Sequence, residues 1–437
     1  MMALLAGCNC GSPQSSADAA RPDAGEDSQT DLRTDRGAHD QRSPDAGPID
    51  AAFTDYPPGA CGGSRTMSPV LVPKGKAMDC GPACKQLTWG ASPGRLYAVS
   101  GDLLTYVNTL GTPGGNRIYY VDLKADKEYQ LHGDWPNLGE GCSIVATDGQ
   151  QIATSCVRAG LTDPRWQAQW LRSLTLYDPA THIARDLLCL ERKLSAKSCF
   201  PDLIALNNSG ITIHLALGAC PFSSVYHLPF GGSQLQDLAG QKGGVGHVRG
   251  AGDIVVWMQS APGWGAYQIV AYNLKTHQAK RISPTTKNQW MPQVSGDKIV
   301  WVDGRNEPKN SDWMQPRNSD IYVYDLKTGK TDPVLLHPAT QEEPDVWGDW
   351  VVWQDYRANP NLFQGSEVDI YAKNLKTGTI YQITDRPEME LYARVDHDRI
   401  FYQAIDRVNK WRPILMVDLP AWLKAKAKSK AQPKPTP

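Results

Sequence analysis

This sequence predicts an all-β fold, a single closed β-propeller of seven four-stranded blades, and three observations carry the prediction. The first is a unit that returns along the chain: Gly296-Asp-Lys-Ile-Val-Trp301 is followed by Asp320-Ile-Tyr-Val-Tyr-Asp-Leu-Lys-Thr-Gly329. The pair recurs as Gly348 to Trp353 with Asp369 to Gly378, and as Gly252 to Trp257 with Gln268 to His277. The second is spacing. Positions equivalent to Asp297 fall at 102, 150, 209, 253, 297, 349 and 398, at intervals of 48, 59, 44, 44, 52 and 49 residues. Each interval is about the length of one four-stranded blade, and such a unit cannot bury its apolar faces without neighbours. The third is an incomplete end. The last unit stops after Asp418-Leu-Pro420, while Lys85-Gln-Leu-Thr88 resembles the fourth-strand run Tyr381-Gln-Ile-Thr384. The N-terminal strand is therefore expected to complete the last blade and close the ring, leaving no unpaired edge at the junction.

Each blade has the same local grammar. Pro292-Gln-Val-Ser is a short first strand, Gly-Asp turns the chain, and Lys298 to Val302 is a second strand rich in β-branched and aromatic residues. In the third strand, Asp320 to Leu326, the side-chain period of two puts Ile321 and Val323 opposite Tyr322 and Tyr324. Lys327-Thr-Gly-Lys330 reads as a hairpin turn in which Gly329 takes a positive φ, and a fourth strand follows. Helical propensity is confined to Ala421–Lys430, read as a short or frayed surface piece.

The repeats resemble those of TolB-type, WD40-like β-propellers, whose pattern runs Ser-Gly-Asp-x-Ile-Val-Trp, Asp-Ile-Tyr-x-Tyr-Asp-Leu-x-Thr-Gly, then Gln-Ile-Thr. Residues 294–301, 320–329 and 382–384 match it well, and the resemblance spans residues 85–419. It implies the architecture; for function it implies little, because the fold hosts scaffolds, peptidase companion domains and polysaccharide lyases. Leu5-Ala-Gly-Cys8 resembles a bacterial lipoprotein processing site, which implies a lipid on Cys8. Residues 9–60 are rich in Asp, Ala, Ser, Gly and Pro, the composition of a flexible tether. The expected layout is thus a signal remnant (1–8), the tether (9–60), a Cys-containing lead-in (61–84), the propeller (85–420) and a basic tail (421–437). It describes a monomer of the bacterial cell envelope, lipid-anchored at the outer membrane or cell surface.

Cysteine usage agrees with export. Cys61, Cys80, Cys84, Cys142, Cys156, Cys189, Cys199 and Cys220 are even in number, as a disulfide framework would be. Cys142 and Cys156 flank the turn at Asp148-Gly149 and are read as one pair; Cys189 and Cys199 are a second. Cys80-Gly-Pro-Ala-Cys84 has the spacing of half a zinc site without a second half nearby. Lys plus Arg total 45 against 46 Asp plus Glu, and no aromatic and basic stripe marks a nucleic-acid surface.

Trp301-Val-Asp303-Gly-Arg305 and Trp353-Gln-Asp355-Tyr-Arg357 repeat, and a repeated Asp and Arg pair is read as blade structure. Catalytic groups should instead break the symmetry. The loop from Asp303 through Asp312 to Asp320 supplies hard oxygen donors of the kind calcium accepts. Trp264, Trp290, Trp313, Trp347 and Trp350 offer a platform for sugar rings or a protein, with blade packing as the plainer reading. His214, His227, His247 and Tyr267 are the candidates for an acid–base or ligand cluster. No nucleophile elbow, phosphate loop or zinc helix stands out. The favoured expectation is a non-enzymatic module binding an envelope protein or glycan through one ring face. The alternative is a polysaccharide lyase in the central funnel, using a histidine or tyrosine base with an arginine or metal.

Overall fold

The Gly-Asp pairs turn the chain as their residue types require: Gly101, Gly252, Gly296 and Gly348 all have φ between 55° and 57°, a region where a side chain is strained. On either side of each turn the apolar runs pair antiparallel, and the computed structural model of the chain shows seven such sheets. It describes residues 63–431 outside 91–92, 109–116, 133–141, 160–169, 192–199, 217–223, 233, 241–243, 261–265, 284, 309–317, 359–367, 387–388 and 406–410. The first strands of the seven sheets, starting with Pro93–Ser100, Cys142–Thr147, Phe200–Asn207, Val245–Ala251, Gln289–Ser295, Gln341–Trp347 and Glu390–Asp396, define blades 1 to 7. Each touches the first strand of the next, and that of blade 7 touches that of blade 1. The chain is therefore a seven-bladed propeller whose first strands surround the axis.

Closure follows the expected route. Cys84–Gln86 is the outer strand of blade 7, paired with Leu415 to Val417. Leu87 N–H continues the pairing to the Ile414 carbonyl, and Thr88 Oγ1 accepts from Ile414 N–H at 2.9 Å.

Two blades depart from the four-stranded expectation. Ser64–Thr66 adds a fifth strand to the outside of blade 2, and Ser68–Leu71 adds one to blade 1. The segment expected as a lead-in thus runs as a sash from blade 2 across blade 1 to blade 7. Met67, between the two added strands, is buried among Val107, Ile118, Val145 and Ile152. Glu128 ties the end of the sash down, accepting from the backbone N–H of Trp89 at 2.6 Å and of Gly90 at 3.2 Å, and from the Tyr106 hydroxyl. Cys80 and Cys84 form a disulfide beside the closing strand, which replaces the half-zinc reading. Cys142 and Cys156 are register partners in blade 2. Cys189 lies on the fourth strand of the same blade; Cys199, Cys61, Cys220 and Cys8 lie outside the described residues.

The C-terminal piece is more regular than its composition suggested. Leu419–Ala431 is a helix, and Trp422 anchors it by burying against blades 6 and 7, edge-on to Tyr381 at 6.0 Å. Among the described residues no helix is long and apolar enough to cross a membrane.

Candidate active site in the central channel

The repeated Asp and Arg motif locks blades 5 and 6 from within. The Asp303 carboxylate accepts from Trp301 Nε1 at 2.9 Å, from Gln289 Nε2 at 2.7 Å, and from Arg305 Nε and Nη2 at 2.9 and 2.7 Å. Asp355 repeats this with Trp353 Nε1 and a two-pronged Arg357. Each guanidinium also lies over an aromatic ring of its own blade, Tyr322 at 3.9 Å and Tyr371 at 4.1 Å, where cation–π attraction adds to the ion pair. Asp320 accepts from Asn306 and from His337 N–H, while Asp312 lies outside the described residues and the calcium set with it. Of the five tryptophans, Trp290 is buried, Trp347 stacks on His397 at 4.3 Å, Trp350 leans on Tyr381, and Trp264 and Trp313 are outside the described residues.

The candidate histidines do not come together. His214 and His227 lie on the second and third strands of blade 3, both buried, and His227 is held by Thr212 Oγ1 at 3.0 Å and Ser209 Oγ at 3.4 Å. Burial pushes its pKa down, so it rests as a neutral structural residue. Tyr267 opens the third strand of blade 4, its hydroxyl beside Gly244. Only His247 stands on an axial strand.

That strand position proves informative. In blades 4 to 7 the axial strand carries a β-bulge after its second residue, between Gly246 and Arg249, Trp290 and Gln293, Glu342 and Asp345, and Leu391 and Arg394. One residue in each bulge has a positive φ without being glycine: His247 at 49°, Met291 at 54°, Glu343 at 50° and Tyr392 at 58°. Such a backbone costs about 1–2 kcal/mol per residue, and strain of this kind gathers at functional sites.

The next pairing level breaks the ring's symmetry more sharply. Three residues before each marker turn the seven axial strands place Ala98, Ala146, Ala205, Arg249, Gln293, Asp345 and Arg394, opposite Thr105, Ala153, Thr212, Val256, Val300, Val352 and Phe401. Blades 1 to 3 offer a methyl group there. Blades 4 to 7 offer two guanidinium groups, an amide and a carboxylate.

These residues stand at one level of the axial strands. Arg249 of blade 4 acts on Asp345 of blade 6, and Tyr97 of blade 1 feels both Asp345 and Glu343; a blade separates the members of each pair, so their fields meet along the axis. Arg394 and Arg249 adopt one conformation, each donating through Nη1 to the carbonyl of the preceding residue, Ala393 at 2.7 Å and Val248 at 2.8 Å. Arg394 Nη2 lies 3.9 Å from Glu343 Oε2, and its guanidinium stands 5.7 Å from the centre of the Tyr97 ring. The Tyr97 hydroxyl donates to the Tyr392 carbonyl at 2.6 Å, and Tyr392 N–H donates to Gln354 Oε1 at 2.5 Å, so the strained bulge is held from blades 1 and 6. Tyr356, deep beside it, donates to Glu342 at 3.4 Å and accepts from Gln354; burial pushes its pKa well up.

Asp345 is the group whose charge is most at issue. Burial pushes its pKa up to about 6, while Arg394, the backbone N–H of Val395 at 2.9 Å and Arg249 pull the other way. Because the folded value lies above the ordinary carboxylate one, its contribution to stability is complete below pH ~4 and is lost as pH rises through about 6.

No family model matches the chain, and no curated protein matches it in sequence. Its fold is similar to solved structures. An oligogalacturonate lyase in complex with manganese aligns at 13% identity and a TM-score of 0.51, covering 82% of this chain and 98% of that one. An oligogalacturonate lyase from Vibrio parahaemolyticus aligns at 12% and 0.54, with the same coverage. An acylaminoacyl peptidase aligns at 13% and 0.51, over 74% of this chain and 50% of that one. Likeness at this identity shows the propeller. The expectation of a non-enzymatic module is corrected on this point: the solved structures the propeller resembles are a lyase and peptidases, not non-catalytic scaffolds. Among the described residues no three His, Cys, Asp or Glu side chains group to hold a metal.

Proposed function

We propose that the protein is an enzyme acting on acidic oligosaccharides, a lyase that cleaves a uronate-containing chain in the central channel. The observation that carries this reading is the one-sided ring, with Arg249, Asp345 and Arg394 on blades 4, 6 and 7 at the level where blades 1 to 3 carry alanine. A uronate carboxylate suits a guanidinium fork in geometry and charge. Removal of the proton α to that carboxylate builds negative charge on its oxygens, which a preorganised, desolvated arginine stabilises better than water does. Arg394, 7% exposed and already oriented by Ala393, Glu343 and Tyr97, is assigned that role. His247 on the blade 4 bulge is assigned the base, and Tyr392 on the blade 7 bulge the donor to the leaving oxygen. The C5–H bond gives its proton to His247, the electron pair forms the C4–C5 double bond, and the C4–O bond breaks with protonation of the departing sugar.

Tri- and tetragalacturonate are the first probes, and the conjugated double bond of the product gives a new ultraviolet absorbance. Turnover is expected on these and on no neutral oligosaccharide, with His247→Gln lowering kcat by about 10²-fold or more. Binding of acidic oligosaccharides with no absorbance change would end the lyase reading.

We infer also that the repeats belong with TolB-type propellers and that Cys8 carries a lipid anchoring the chain in a bacterial envelope, with the tether holding the propeller off the membrane. The support is the Leu5-Ala-Gly-Cys8 motif followed by fifty residues of low-complexity chain. Labelled palmitate should enter the exported full-length protein and not a Cys8→Ser variant; export without label in the wild type would remove the anchor.

A further inference from the structure

The four bulges share a backbone but not their supports. The second residue of each axial strand pairs with Met258 in blade 4, Val302 in blade 5 and Gln354 in blade 6, so the amide of Gln354 stands where the two blades before it carry apolar side chains. Tyr97 breaks the pattern of its own level: it pairs with Tyr106, where blades 2 and 3 place Val145 and Ile204 opposite Thr154 and Ile213. Both departures meet at one residue. Blade 7 lies between blades 6 and 1, and the two side chains take the peptide groups of Tyr392 from either side: its N–H donates to Gln354 Oε1 at 2.5 Å, and its carbonyl accepts from the Tyr97 hydroxyl at 2.6 Å. The amide of Gln354 is itself oriented, because Nε2 donates to the Tyr356 hydroxyl at 3.2 Å and Tyr356 donates onward to Glu342 at 3.4 Å. That leaves Oε1 as the end turned to Tyr392. Both gripping side chains are buried.

We propose that Tyr97 and Gln354 are positioning residues for Tyr392: by holding both of its peptide groups they fix its left-handed backbone, and with it the direction in which the phenol leaves the axial strand. This rests on the reading of Tyr392 as donor to the leaving oxygen and adds how that donor is held. At a φ of 58° a tyrosine sits in a sparsely allowed region that its own sequence does not favour. A bulge re-aims the side chain it carries, and a peptide released from both grips would relax toward extended backbone and turn the phenol away.

The leaving group reads the donor separately from the rest of the site. When fluoride stands at C4 of a galacturonide, the C5–H bond gives its proton to the base, the electron pair forms the C4–C5 double bond, and fluoride departs with the C4–F electrons without needing a proton. Tyr97→Phe removes only the hydroxyl and keeps the ring beside Arg394; Gln354→Met removes the acceptor and places in blade 6 the residue blade 4 already carries. On trigalacturonate each is expected to lower kcat about 10- to 100-fold with KM changed less than about twofold. On the C4 fluoride both should turn over within about threefold of wild type. Hydrogen exchange of the Glu390–Asp396 segment, read by mass spectrometry, should show a protected Tyr392 N–H in wild type and faster exchange in Gln354→Met. Equal losses on both substrates, or undiminished kcat on trigalacturonate, would overturn the proposal and leave the lyase reading standing. Unchanged exchange at Tyr392 would overturn it without any kinetics, and a wild type that turns over neither substrate would remove the lyase reading and this role of Tyr392 together. A melting curve identifies which variants fold, and either one decides.

Discussion

Replacing Arg394 with alanine is expected to lower kcat/KM on a uronate oligosaccharide by about 10³-fold, the scale on which a desolvated charge stabiliser acts in the transition state. The loss should fall mainly on kcat, because the charge this group answers develops only as the proton leaves. Arg394→Lys keeps the positive charge and loses the planar fork, which here donates to Ala393 and faces Glu343 and the Tyr97 ring at once. About a 10²-fold loss is expected of it. Steady-state kinetics alongside a melting curve separates chemistry from unfolding, since the alanine variant also removes a cation 3.9 Å from buried Glu343. Turnover by folded Arg394→Ala within threefold of wild type would exclude Arg394 from the reaction.

The largest stability effect should come from Asp303. Its carboxylate has no exposed surface and takes hydrogen bonds from Trp301, Gln289 and Arg305. Asp303→Ala would leave a guanidinium, an indole N–H and an amide without their acceptor in the blade interior. A cost of about 3–5 kcal/mol follows, the range for removing one partner of a buried ion pair. Asp355→Ala removes the same set from blade 6 without a counterpart of the Gln289 bond, so it should cost about 1 kcal/mol less. Urea denaturation of both variants reads the two values. A cost under about 1 kcal/mol for Asp303→Ala would mean that the blade interior relaxes around the gap.

The ring was legible because its punctuation is backbone chemistry. A residue pair such as Gly296-Asp297 marks a left-handed turn wherever it recurs, and the apolar runs around it are too short for anything but strands. Lys85 to Thr88 could be assigned to blade 7 because Gln86 and Thr88 match a fourth strand elsewhere. The sash could not be read in this way. Ser64–Thr66 and Ser68–Leu71 are three and four residues long, one contains Pro69, and most of their side chains face solvent; they are strands only because the edges of blades 2 and 1 offer hydrogen-bonding partners. The helix at Leu419–Ala431 was half seen, since Trp422 docks through tertiary packing that propensity does not report. The charged level of the axial strands is hidden for another reason. Residue type singles out histidines scattered along the chain, and the level lies inside strands that look alike. Its signal was available in register: four residues before each position equivalent to Asp297, the seven units read Ala, Ala, Ala, Arg, Gln, Asp, Arg. Deviation within a repeat points to chemistry more directly than residue type does.

The route of the sash also fixes how the ring bears a load. Tension applied from the N-terminal side reaches the edge of blade 2 first, where Ser64 to Thr66 face Ile183 to Arg185, then blade 1 through Ser68 to Leu71, and only last Cys84 to Gln86 on blade 7. The strand that closes the ring therefore sits behind two sacrificial ones. A tug peels short edge strands in sequence while the axial strands, and the channel they enclose, stay in place.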